Sequence, residues 1–364
     1  MMHFRPATDA DAATWQAFLA ATASGDFLHD WAWADVAAFD GQLQHRYVLE
    51  QDGAIVAIVA ALERSLVAGR TFWYVPHGPV LDWSAPLAGE RLRALLLGLR
   101  IAAKQHRAIA VKLEPRLAMG ALEEGAIRGS RLRHVPEMLQ VGQTRIVPLA
   151  DDDALLADFD KDTRYGVRRA EREGVSVSVV EDAADTRAIG DLHGLVRETQ
   201  LRAGFPMPPL ERYRVAWKAL AGAGRAAILE ARCDGAVLAA GMVVIEGSRS
   251  FYLFSGSRRE QRGEPTHYAS YALQWAMMRL ARDRGVTQHD LWGIAPPGAG
   301  PDHAWHGVGL FKKGFGGVEV VWAGSWDLIV NPGLYRLRAA TGIMRGWPGR
   351  LRRRATRDRW ALAP

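Results

Sequence analysis

One cysteine, Cys233, is all that the 364 residues contain. Its solitude excludes an intramolecular disulfide and any cysteine-built zinc cage, and it points to a reducing compartment. Long apolar runs are missing too. Stretches such as AIVAIVAAL, Ala54 to Leu62, fall well short of the roughly 20 residues that cross a bilayer. The opening MMHFRPATDADAATW has no basic region leading into an apolar one, so no signal peptide and a cytoplasmic location are expected. Nor is there a Walker loop, a GxGxxG turn, an HExxH helix, an EF-hand loop or a GxSxG elbow. With them go the commonest signatures of nucleotide, metal and serine-nucleophile chemistry. His303 and His306 in DHAWH stand in a loop-like setting without cysteines; they are not expected to hold a metal, and none is expected elsewhere.

What is present is a globular composition, 49% hydrophobic and 24% charged, long enough for two cores of ordinary size. The charge is uneven. Between Arg345 and Arg359 seven arginines face one aspartate, an excess equal to the formal +6 of the whole chain. With Trp347, Leu351 and Trp360 this tail suits a nucleic acid or an anionic membrane face, or is simply a solvated tail.

One order of elements occurs twice. YVLEQDGAIVAIVAAL carries Asp52-Gly53 between two β-like runs, the strongest short hairpin signal, and AILEARCDGAVLAAGMVVI repeats it at Asp234-Gly235. An aromatic strand follows each hairpin, around Trp73-Tyr74 and around Tyr252. Then come an apolar-periodic helix, ERLRALLLGLRIAAKQH or YASYALQWAMMRLARDRG, and a strand, AIAVKLEP or TQHDLWG. Four successive elements in a kept order imply a tandem duplication of one α/β (α+β) unit, each with an antiparallel sheet flanked by helices. The boundary is expected near Pro148, giving a first domain of 1–148 rejoined by 327–364, and a second of 149–326.

Several residues are candidates for chemistry. KDTRYGVRRAEREGV sets Arg164, Arg168 and Arg172 on one helix face, a phosphate-binding surface or a solvated stripe balanced by glutamates. Arg202, Arg212 and Tyr213 flank a proline-rich turn and suit an anionic substrate. Glu114 ends a strand, where it can accept a proton or orient an amine; Asp290 ends the partner strand and reads as a turn former. Tyr252 and Tyr268 belong to a core or a substrate rim. GLFKKGFGG reads as a turn and strand start with Lys312 and Lys313 between Phe311 and Phe315.

Taken in order, DWAWADV, YVPHGPVLDW, VKLEP, KDTRYGVRRAEREGV, TQLRAGF, FYLFSGS, YALQW, HDLWGI, GLFKKGFGG and NPGLYRL resemble the FemABX family of peptidoglycan interpeptide-bridge aminoacyltransferases, in particular its short FemX-like members. The resemblance covers nearly the whole chain. It implies two tandem GNAT-like domains and transfer of an amino acid, glycine or alanine, from aminoacyl-tRNA to the side-chain amine of a stem peptide. The acceptor it implies is lipid II or UDP-MurNAc-pentapeptide, with aminoacyl-tRNA as co-substrate, no cofactor, and a monomer that touches the membrane through the basic tail. Carried over by position, Phe311-Lys312 match the family's Phe-Lys pair, whose lysine stabilises charge during transfer. Glu114 falls at its acidic residue before proline and Tyr252 in its aromatic strand; Arg202, Arg212 and Tyr213 fall in its phosphate-contacting region. Tyr268 and Arg164 complete the expected substrate contacts.

Two departures accompany the match: Ala37 stands where members using soluble nucleotide substrates carry a lysine, and the long helical-hairpin insertion is missing. The rival on the same fold is an acyl-CoA N-acyltransferase, whose Q/R-x-x-G-x-G/A pyrophosphate turn is not found in SRREQRGEPTHYASY or DWSAPLAGERLRA. A non-catalytic protein that binds precursor or RNA is the other.

Overall fold

The structure is a computed structural model that describes residues 1–120, 132–135, 138–203, 207–258, 267–296, 298–303 and 305–340. The basic tail from Arg345 to Arg359 lies outside the described residues, as does the side chain of Arg202.

The chain forms two compact units, one from Met1 to Gln140 that resumes at Val321, the other from Val141 to Val320. The expected boundary at Pro148 is therefore displaced. The strand β8 (Gln143–Pro148) pairs antiparallel with β13 (Gln288–Gly293), and its Val147 packs with Leu291 and Phe315 in the second unit's core. The expected return at residue 327 falls inside β15 (Ser325–Ile329), a strand of the first sheet.

That first sheet runs β1 (Met2–Pro6), β2 (Leu43–Gln51), β3 (Ala54–Ser65), β4 (Thr71–Val75), β6 (Ala108–Leu113), β15 and β7 (Leu132–Val135), with the short β5 (Val80–Leu81) on β3. Among the described residues only β4 and β6 pair in parallel in this sheet. Alternation along β2 and β3 serves two faces. Leu49 and Val59 meet Leu92, Leu95 and Leu99 of the helix Ala88–Gln105. Val48 and Ile58 meet Trp15 and Leu19 of the helix Ala12–Ala21.

The second sheet runs β14 (Val318–Val321), β8, β13, β12 (Arg249–Ser257), β11 (Ala236–Glu246), β10 (Ala226–Cys233) and β9 (Ser176–Val180). Again a single pair, β12 with β13, is parallel among the registers described. The helix Ala269–Asp283 buries Leu273 and Met277 against Leu229 and Val243.

The duplication extends to detail. Both Asp-Gly turns place both residues at positive φ, 52° and 83° at Asp52-Gly53, 48° and 79° at Asp234-Gly235, the primed turn that matches strand twist. Each hairpin also carries a bulge at the same distance from its turn, between Leu49 and Glu50 in one and Ala231 and Arg232 in the other. The helix Thr186–Ala203 crosses β12 at Gly256, where an added Cβ would land on the backbone of Leu195 and Val196. Backbone cannot yield as a side-chain tip does, so Gly256→Ala should lose about 3 kcal/mol in a urea melt; a wild-type midpoint would refute the contact.

Candidate functional site

The two parallel pairs differ in one respect. In the first unit β4 and β6 stay paired to Val75 and Leu113, and the N–H of Glu114 still donates to the Val75 carbonyl at 3.2 Å. In the second unit β12 and β13 pair only at Arg249 with Gln288, Ser250 with His289 and Phe251 with Asp290. Past Phe251 the strands part, while β12 runs on to Ser257. A crevice beyond the carboxyl ends of parallel strands is where open α/β sheets bind ligands.

Beside this opening lies a cavity of about 230 Å³ lined by Tyr252, Ser255, Ser257, Thr199, Phe311 and Lys312, among others. GLFKKGFGG supplies the last two from a helix, His306–Gly314, and not from the expected turn and strand start. Its glycines answer to tertiary neighbours: a Cβ at Gly314 would meet Asp160 and Thr163, and one at Gly316 would meet Asp158. Gly316 and Gly317, at φ of 72° and 69°, then end the helix. Phe311 and Phe315, one turn apart, pack at 5.1 Å, and Tyr271 stands 5.2 Å from Phe311.

Lys312 is 1% exposed, although Lys313 beside it faces water. Its ammonium donates to the Gly293 carbonyl at 2.7 Å and lies 5.8 Å from the centre of the Tyr252 ring. Burial pulls its pKa down to about 7, with Asp290 opposing. Gly293 is aimed by a strained neighbour. Trp292 sits at φ 61°, and Asp290 holds it there by accepting its N–H at 2.8 Å. Asp290 therefore stands inside β13 and braces an irregularity within it, whereas its place in the sequence suggested a turn former at the strand end. Tyr252 is pushed up to about 12 by burial, with Ser255 opposing, and keeps a neutral hydroxyl.

The cavity therefore unites Lys312, Phe311 and Tyr252. Tyr268, at the start of the helix Ala269–Asp283, approaches through Tyr271, at 6.0 Å between rings, and packs edge-on against Tyr165. The other candidates are elsewhere. Arg164 turns its guanidinium onto the carbonyls of Leu156, Ala157 and Phe159, capping the preceding helix Asp152–Asp158, so the expected phosphate surface keeps only Arg168 and Arg172 exposed. Arg212 and Tyr213 are buried, the ring of Tyr213 lying 4.3 Å from Phe254, which corrects their reading as an open clamp.

Glu114 lies in the first unit, fully buried. Its Oε1 accepts from Leu139 N–H and the Ser325 hydroxyl, both at 2.6 Å; its Oε2 accepts from the Tyr74 hydroxyl at 2.6 Å and Gln140 N–H at 3.0 Å. Two donors on each oxygen fill a carboxylate. No lone pair is left for a substrate amine, so the expected proton acceptor is a structural anchor. Ala37 is buried in the helix Ala34–Phe39. No local sequence signal marks the Gly293 carbonyl, or Thr199 and Trp305, which also line the cavity.

Against this geometry stand three likenesses. The chain is 24% identical, over 396 residues, to the lipid II:glycine glycyltransferase of Staphylococcus saprophyticus, covering 88% of this chain and 92% of the relative. A crystal structure of FemX superposes with a TM-score of 0.82 at 21% identity, covering 92% of this chain and 99% of that one. A tandem GNAT protein from the clavulanic acid biosynthesis pathway superposes at 0.51 with 15% identity over 91% of this chain and 99% of its own; both likenesses give the fold, two GNAT-like units in tandem. The FemAB family profile matches residues 11–140 and 224–341, which is most of both units. The chain belongs to the FemAB family and is a transferase of that kind.

Proposed function

We propose that the chain transfers an amino acid, glycine or alanine, from aminoacyl-tRNA to the side-chain amine of a peptidoglycan precursor's stem peptide. Family membership and relatives named lipid II:glycine glycyltransferase support the acceptor class. The observation that carries the chemistry is the buried ammonium of Lys312 at the mouth of the parted strands. Aminolysis of an ester needs no covalent nucleophile. A neutral amine attacks the carbonyl, a tetrahedral oxyanion forms, and the ribose hydroxyl leaves with the proton the amine gives up. The enzyme's share is to position two large substrates and to stabilise the oxyanion. A cation held by one carbonyl and excluded from water acts strongly on charge that develops beside it.

The test is mass spectrometry of lipid II and of UDP-MurNAc-pentapeptide after incubation with the full chain and a pool of charged tRNAs. One added aminoacyl residue on the stem-peptide amine is expected, and none when the charged tRNA is digested with ribonuclease before the reaction. Acylation from acetyl-CoA, with none from tRNA, would overturn the reading.

A further inference from the structure

The first unit holds the only group of three side chains among the described residues whose His, Cys, Asp or Glu atoms converge as metal ligands do: His45, Glu63 and His106, with all three ligand atoms within 4.8 Å of one another. The fold makes this convergence. β2 and β3 pair Leu43 with Glu63 and His45 with Ala61, so His45 and Glu63 are diagonal neighbours on one sheet face. The helix Ala88–Gln105 packs on that face and ends with His106 as its C-cap.

The carboxylate is the centre. His45 Nε2 lies 2.9 Å from Glu63 Oε2, and His106 Nδ1 lies 3.8 Å from the same oxygen. The second distance is too long for a hydrogen bond, so a second imidazole is brought to the carboxylate without bonding to it. The two imidazole rings are 4.4 Å apart. Trp73 of β4 fixes both neighbours: its indole N–H donates to Glu63 Oε2 at 3.0 Å and its ring stacks on His45 at 4.4 Å. Such outer partners orient ligands in metal sites.

We propose that His45 Nε2, Glu63 Oε2 and His106 Nδ1 form a zinc site. Two imidazoles and one carboxylate suit zinc, whereas magnesium and calcium favour all-oxygen sets. The side chains of His45 and Glu63 are 12% and 17% exposed while that of His106 is 43% exposed. The exposure of His106 leaves the group open to solvent on that side. A bound ion ties the β2–β3 hairpin to the end of the helix and leaves a fourth position for water.

The full chain, stripped with EDTA and dialysed, is titrated with zinc chloride by equilibrium dialysis and thermal melting. One zinc per chain and a Tm that rises with zinc are expected. His106→Ala, at a half-exposed position, should weaken binding by about tenfold or more with an unchanged circular dichroism spectrum, and His45→Gln should do the same. The double variant His303→Ala, His306→Ala should bind as wild type. Absence of saturable binding, or wild-type affinity in a folded His106→Ala or His45→Gln chain, overturns the site.

Discussion

Replacing Lys312 by methionine is expected to cut aminoacyl transfer by about 100-fold or more and, below pH 7, to make the protein harder to unfold. The first effect follows from the role proposed for the ammonium: removal of one donor aimed at an oxyanion typically loses about 10² to 10³ in turnover. Binding of the precursor to the variant should persist, because the methionine keeps the apolar stem that packs the helix His306–Gly314.

The second effect follows from linkage. The pKa of Lys312 falls from 10.5 to about 7 on burial. Between those values the unfolded chain holds a proton that the folded chain has released, so wild-type stability rises with pH across that window. Below pH 7 the folded protein carries the buried charge, at a penalty on the order of 5 kcal/mol. Methionine removes the penalty but leaves the Gly293 carbonyl without its donor, a loss of about 1–3 kcal/mol. The variant should therefore gain stability at pH 6 and lose it at pH 10, read as opposite shifts in the urea midpoint. Equal midpoints at both values would mean that Lys312 is not buried as a potential cation. A gain in stability with loss of turnover is what a residue kept for function produces.

Local signals made half of the fold readable from sequence. The two Asp-Gly turns fix the hairpins by backbone preference alone, and the 3.6-residue period of the two apolar helices needs no tertiary knowledge. The helix of GLFKKGFGG was not readable, since four glycines in nine residues read as a turn. Two of them, Gly314 and Gly316, are set by the approach of Asp158, Asp160 and Thr163, more than 150 positions earlier in the chain. Tyr213 and Arg164 were misplaced for a related reason: a polar tip in a sequence does not say whether it meets substrate, a core aromatic or the end of a neighbouring helix. Lys312 was legible only through resemblance, and its burial through none of the local patterns. The His45, Glu63 and His106 cluster draws on a strand, its neighbour and a helix end, and no linear motif links them.

Glu114→Gln offers the second large effect, and it separates an anchor from a base. The substitution keeps shape and removes charge, yet the amide carries two hydrogens on one end. Leu139 N–H points at Oε1 and Gln140 N–H at Oε2. Hydroxyls such as Tyr74 and Ser325 can rotate to accept, but backbone N–H groups cannot. Whichever way the amide is turned, its NH₂ faces a backbone donor. Breaking a buried, fully bonded charge in this way should lose about 3–5 kcal/mol in a urea melt. At a temperature where the variant is still folded, its pH–rate profile for aminoacyl transfer should match that of the wild type, with only the amplitude following the folded fraction. A variant with wild-type stability that has lost the alkaline or acid limb of that profile would return Glu114 to the role of proton acceptor. The geometry argues for the other outcome, because a carboxylate already holding four hydrogen bonds must break one before it can take a proton from substrate.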